Sequence, residues 1–86
     1  MKVYAPLETE FALTFNVDGR VTVVCVSRDT IDSLFPAEAT TEKAFEKNSR
    51  QISEAIGAAF AENPPTKNKV IIPFEVMREI LLKYKD

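Results

Sequence analysis

The 86-residue sequence contains no histidine and no tryptophan, one cysteine and two glycines. Without histidine, Ser–His and Cys–His nucleophile pairs are excluded, as are the usual zinc sites, which draw on imidazole. A single cysteine excludes an internal disulfide and any multi-cysteine metal knot. With only Gly19 and Gly57, no glycine-rich loop can cradle a phosphate. Long apolar runs are missing as well: the longest mostly apolar one, Val21 to Val26, falls far short of the ~20 residues a membrane helix needs. The residues after Met1 lack the apolar core of a signal peptide. An unpaired cysteine suits a reducing compartment, so the expected setting is the cytoplasm, with no membrane contact. No cofactor or metal is expected.

Positive charge is also short. The net charge is −2 and the sequence pI about 5.1, whereas sequence-independent binding to a phosphate backbone needs a basic footprint. Nucleic acid is therefore an unfavoured partner. What the chain does have is the balance of a globular domain, 45% hydrophobic and 28% charged, read as one domain over residues 1–86. A domain this small buries only about 60–65% of the surface its unfolded chain exposes. Association with another subunit is a common source of the missing stability.

The strongest local signal is a hairpin. Phe11 to Val17 alternates large apolar with small or polar residues, Asp18-Gly19 supplies a two-residue turn that needs positive φ, and Arg20 to Val26 returns through β-branched residues. A two-residue turn sets Phe15, Leu13 and Phe11 opposite Thr22, Val24 and Val26, the face expected to hold the core. The other face carries Val21, Val23 and Cys25. Because the return strand is apolar on both sides, something is expected to lie over that second face, either a terminal segment or a second subunit.

Ser27 is expected to cap a short helix running through Phe35, with Ile31, Leu34 and Phe35 as its buried stripe and Pro36 as its stop. Thr40 or Thr41 then caps a long helix to about Glu62, whose stripe is Phe45, Asn48, Ile52, Ala55, Ile56, Ala59 and Phe60. A glycine within a helix costs about 1 kcal/mol relative to alanine, so Gly57 predicts a close approach of another element. After the Asn63-Pro64-Pro65 breaker, Lys69 to Ile72 reads as a third strand. Phe74 to Tyr84 reads as a last helix with a Glu79–Lys83 pair. Val3 and Tyr4 suggest a short first strand. The predicted class is α+β: a hairpin and a third strand in one antiparallel or mixed sheet, with a short, a long and a C-terminal helix on the Phe11–Phe15 face.

Val17-Asp18-Gly19, then Cys25-Val26-Ser27-Arg28 with Ile31 and Phe35, then Ala44-Phe45 with Asn48 and Ile52, then Val70-Ile71-Ile72, form an ordered set. In that order they resemble the small bacterial proteins grouped as domain of unknown function 1488. The likeness covers Phe11 to Ile72. It implies a small bacterial α+β domain and transfers no catalytic residue, since the family has no established activity. The chain departs from the family in lacking an N-terminal tryptophan segment and in adding the helix Phe74–Tyr84.

Cys25 sits two residues before the Ser27 helix start with Arg28 close in sequence, which would favour a thiolate; a small hydrophobe packed in a strand is the preferred reading. Asn48 is read as a structural amide tying the long helix to a loop or strand rather than as a ligand contact. Lys43, Lys47 and Arg50 share one helix face and form a candidate anion patch, yet Glu46 and Glu54 can neutralise it. Asp29, Asp32, Glu38 and Glu42 lack any metal-ligand spacing and are assigned to capping and solubility. The expected function is a small non-catalytic binding or protein-interaction module using Val21, Val23 and Cys25, with homodimerisation as one form. The alternative is a nucleic-acid-associated regulator acting through Lys43, Lys47 and Arg50 or through the Lys67–Lys69 loop. A third possibility is an enzyme built on Cys25 or a carboxylate pair.

Overall fold

The computed structural model describes residues 2–3 and 10–84. Asp18 and Gly19 occupy left-handed backbone, with φ of 53° and 78°, which matches the twist of a two-residue hairpin turn to the strands it joins. That turn sets strands β2 (Glu10–Val17) and β3 (Arg20–Ser27) in the register expected, Val17 opposite Arg20 and Phe11 opposite Val26. A short β1 (Lys2–Val3) pairs antiparallel with Thr14 and Leu13 of β2. It begins one residue earlier than expected, and Tyr4 lies outside the described residues.

Ser27 ends β3 and caps helix α1 (Arg28–Leu34), its hydroxyl accepting the Thr30 amide at 3.1 Å. Thr40, rather than Thr41, caps the long α2 (Thr41–Glu62), accepting the Lys43 amide at 3.1 Å. The chain then re-enters the sheet as β4 (Lys69–Ile71), parallel to β3, and closes with α3 (Phe74–Lys83). Among the described residues the architecture is α+β: a four-stranded mixed sheet in the order β1-β2-β3-β4, with α1, α2 and α3 on one side.

The core lies between that side of the sheet and the helices. Phe11, Leu13, Val24 and Val26 meet Ile31 of α1, Phe45, Ile52 and Ile56 of α2, and Met77 and Leu81 of α3. Phe11 stacks on Phe45 with ring centroids 4.2 Å apart, and Phe15 meets Phe60 edge to face at 5.7 Å. Full burial of side chains of this size stabilises the fold by about 1.5–3 kcal/mol each. α3 packs against α1 and α2, so it adds to the same layer and leaves the far side of the sheet alone.

Three expectations need correction. Gly57 is not a close-approach site: a Cβ there would meet nothing within 4 Å. Asn48 does not tie α2 to another segment. Its side-chain amide donates to the Ala44 carbonyl one turn earlier in the same helix, at 2.8 Å, which a helix surface position can do without any outside partner. Lys83 passes over Glu79 and pairs with Glu62 at 3.5 Å, joining the ends of α2 and α3.

Candidate interaction surface

Alternation along β3 sends Thr22, Val24 and Val26 to the helices and Val21, Val23 and Cys25 to the opposite face. The β2 register adds Ala12 and Thr14 to that face, and the β4 register adds Lys69 beside Val23 and Ile71 beside Cys25. The face is uneven. Ala12, Thr14 and Cys25 are buried, whereas Val21 is 62% exposed, Ile71 67% exposed and Val23 half-buried. The open part is therefore the β3–β4 half, a row of Val21 and Val23 flanked by Ile71 and Lys69. Of the three residues singled out from sequence, the structure leaves Val21 and part of Val23 available and withdraws Cys25. Ile71 joins them. Its alternation with the core residues Val70 and Ile72 was legible, but its place beside Cys25 was not, because that depends on β4 lying next to β3.

The surroundings of Cys25 oppose a thiolate. Burial pushes its thiol above the ordinary value, the Glu10 carboxylate beside it acts in the same direction by charge and hydrogen bonding, and Lys69 opposes them. Arg28, the cation that sequence proximity offered, turns to the other side of the sheet. It bonds Glu42 at 2.6 Å and lies over the Phe11 ring, 5.3 Å from its centroid. A protonated thiol is a poor nucleophile and a poor metal ligand.

The four carboxylates near α1 are spread among separate partners. Asp32 accepts the Thr41 hydroxyl at 2.6 Å, Glu38 pairs with Lys47 at 3.2 Å, Glu42 with Arg28, and Asp29 sits in the first turn of α1. The Arg28 guanidinium holds the Glu42 carboxyl below its ordinary value, chiefly through their hydrogen bond. No group of three or more potential metal ligands gathers among the described residues. The candidate anion patch is largely neutralised: Lys47 is held by Glu38, and Arg50 by Glu54 at 3.1 Å. Lys43 alone of the three carries no ion pair among the described residues.

Two concavities lie among the described residues. One, of about 230 Å³, lies between the hairpin tip and the end of α2 and is lined by Phe15, Asn16, Asp18, Gly57, Phe60 and Pro64, among others. The other, shallower and about 380 Å³, runs along β4 and is lined by Pro65, Thr66, Lys67, Lys69, Val70 and Ile71. The loop carrying Pro65 is anchored by Arg20, whose guanidinium donates to the Pro65 carbonyl at 2.9 Å. Lys67 and Lys69 are exposed, and neither forms an ion pair among the described residues. No helix among the described residues is long and apolar enough to cross a membrane. No family model, no curated protein and no solved structure matches the chain.

Proposed function

We propose that this chain is a small non-catalytic interaction module that engages a protein partner through the β3–β4 half of the helix-free face. The observation that carries the reading is the exposure of Val21 and Ile71, 62% and 67%, on a side of the sheet that no helix among the described residues covers. Val21 and Ile71 lie at the two ends of this half of the sheet, with Val23 and Lys69 between them, and exposed apolar side chains on an uncovered sheet face are candidates for association. The burial of Cys25, which pushes its thiol above the ordinary value, and the dispersal of the carboxylates support the non-catalytic part. A cytoplasmic setting and membership of the domain of unknown function 1488 group belong to the same proposal, resting on the lone cysteine and on the ordered motifs.

The first partner to test is a second copy of the chain, since a two-fold contact needs one self-complementary patch. Light scattering at tens of micromolar should give a mass near twice 9.7 kDa, returning to the monomer value for Val21→Lys. A monomeric wild-type chain removes the homodimer. The wider reading then depends on capture of a host protein that Val21→Lys abolishes and Arg50→Glu leaves intact. Capture insensitive to Val21→Lys overturns it. The nucleic-acid alternative is opposed by the pairing of Lys47 and Arg50. Salt-sensitive retention on heparin, lost on changing Lys67 and Lys69 to glutamate, would favour it instead.

A further inference from the structure

Parallel pairing gives alternate residues of a strand to one neighbour and leaves the rest facing the other way. On the β3 side of β4 the pairing is complete: the Val23 amide donates to the Asn68 carbonyl at 2.7 Å, and the Ile72 amide donates to the Cys25 carbonyl at 3.1 Å, with Val70 paired between them. Asn68, Val70 and Ile72 thus spend their backbone groups on β3. The N–H and C=O groups of Lys69 and Ile71 turn outward, away from the sheet. β4 is the last strand in the order, so nothing within the sheet meets them. An unpaired strand edge is a template for another strand.

The ground beside this edge is shaped and charged. The concavity of about 380 Å³ along β4 has Ile71 as its apolar anchor, Pro65 and Thr66 as a wall, and Lys67 and Lys69 as the ionisable residues among its described lining. A second copy pairing β4 against β4 would bring four lysines to one seam. An acidic strand meets both requirements at once.

We propose that the outer edge of β4 is a β-augmentation site for an extended acidic segment of a partner protein, one with a carboxylate two residues from an aliphatic side chain. The carboxylate would lie beside Lys69 and the aliphatic group beside Ile71, both on the helix-free side. Main-chain hydrogen bonds would supply affinity, and the alternate side chains would supply selectivity. The proposal rests on the reading of the protein as an interaction module and assigns that module its partner chemistry.

The test uses the capped peptide Glu-Thr-Val-Thr-Glu, which offers the same side-chain spacing in either strand direction, with Lys-Thr-Val-Thr-Lys as control. Amide exchange is followed by NMR on the full chain. At a tenfold excess over its Kd, the acidic peptide should slow exchange of the Lys69 and Ile71 amides by about tenfold, and the basic peptide should leave them unchanged. Ile71→Pro removes one outward donor without taking a hydrogen bond from β3, and proline is tolerated on edge strands. It should abolish binding, whereas Ile71→Ala keeps the donor and should only weaken it. Should Ile71→Pro fail to fold, the wild-type exchange result decides alone. No binding of the acidic peptide, or equal protection by the basic one, overturns the proposal. Binding that perturbs Val21 and Val23 but leaves the Lys69 and Ile71 amides at their free rates overturns the edge site and leaves the face reading standing.

Discussion

Gly57 offers the sharpest check on the energetics. It lies within the 22-residue helix α2, where glycine is less favourable than alanine by about 0.8–1 kcal/mol because its backbone loses more freedom on folding. Such a residue is normally excused by a close contact or a positive φ. Neither applies: Gly57 is not among the positive-φ residues, and an added Cβ would meet nothing within 4 Å. Gly57→Ala should therefore recover most of the propensity difference, stabilising the domain by about 0.5–1 kcal/mol. For a chain this short, each kcal/mol moves Tm by about 4–8 °C, so a rise of several degrees is expected. Thermal melts and urea titrations followed by circular dichroism should agree, the urea midpoint rising with an unchanged slope. A lower Tm, or none of the expected gain, would contradict this propensity account. It would mean that the space above Gly57, between Phe15 and Phe60, is needed by the folded chain.

Two further perturbations probe the sheet from its two sides. The Thr22 hydroxyl is buried on the helix side with no hydrogen-bond partner among the described residues; Thr22→Val keeps the shape, removes the unsatisfied group and should stabilise the fold by about 1 kcal/mol in denaturant titration, a loss of stability counting against that placement. On the other side, native Cys25 should resist a disulfide reagent at mildly alkaline pH and react promptly once unfolded, and fast native labelling would contradict its burial. Because the folded thiol titrates above its ordinary value, its contribution is fully present below the unfolded pKa and is lost as pH rises through the folded one. Stability should thus fall on the alkaline side for the wild type more steeply than for Cys25→Ala.

The elements that sequence made legible are those whose causes are local. Asp18-Gly19 determines a turn and, through it, eight cross-strand pairs; Ser27 and Thr40 announce their helices because a cap acts within three residues. The caps and the hairpin register were readable from neighbours alone. What could not be read depends on distant partners. The parallel docking of β4 beside β3 joins residues separated by both α1 and α2, and only that docking brings Ile71 and Lys69 onto the face with Val21 and Val23. Cys25 leaves the available surface for the same reason, since β4 docks beside it with Ile71 alongside. Its reading as a packed small hydrophobe holds, and the charge beside its thiol comes from Glu10, distant in sequence, rather than from nearby Arg28. Lys83 chose Glu62 over Glu79 because two helix ends converge, which no intrahelical spacing can foretell.

The β3–β4 junction also governs how the chain assembles in time. The hairpin closes over two residues, a step of low entropic cost, whereas joining β4 to β3 closes the far longer loop that holds α1 and α2, at a greater entropic cost. Non-local pairings of this kind slow folding. Until β4 arrives, the outward amides and carbonyls of Val23 and Cys25 are themselves an open edge, so the half-folded domain carries on β3 the same vacancy that the finished one carries on β4. Stopped-flow refolding should show hairpin protection preceding that of Val23 and Cys25. The brief interval between the two is the stage at which this chain is most exposed to pairing with the wrong strand.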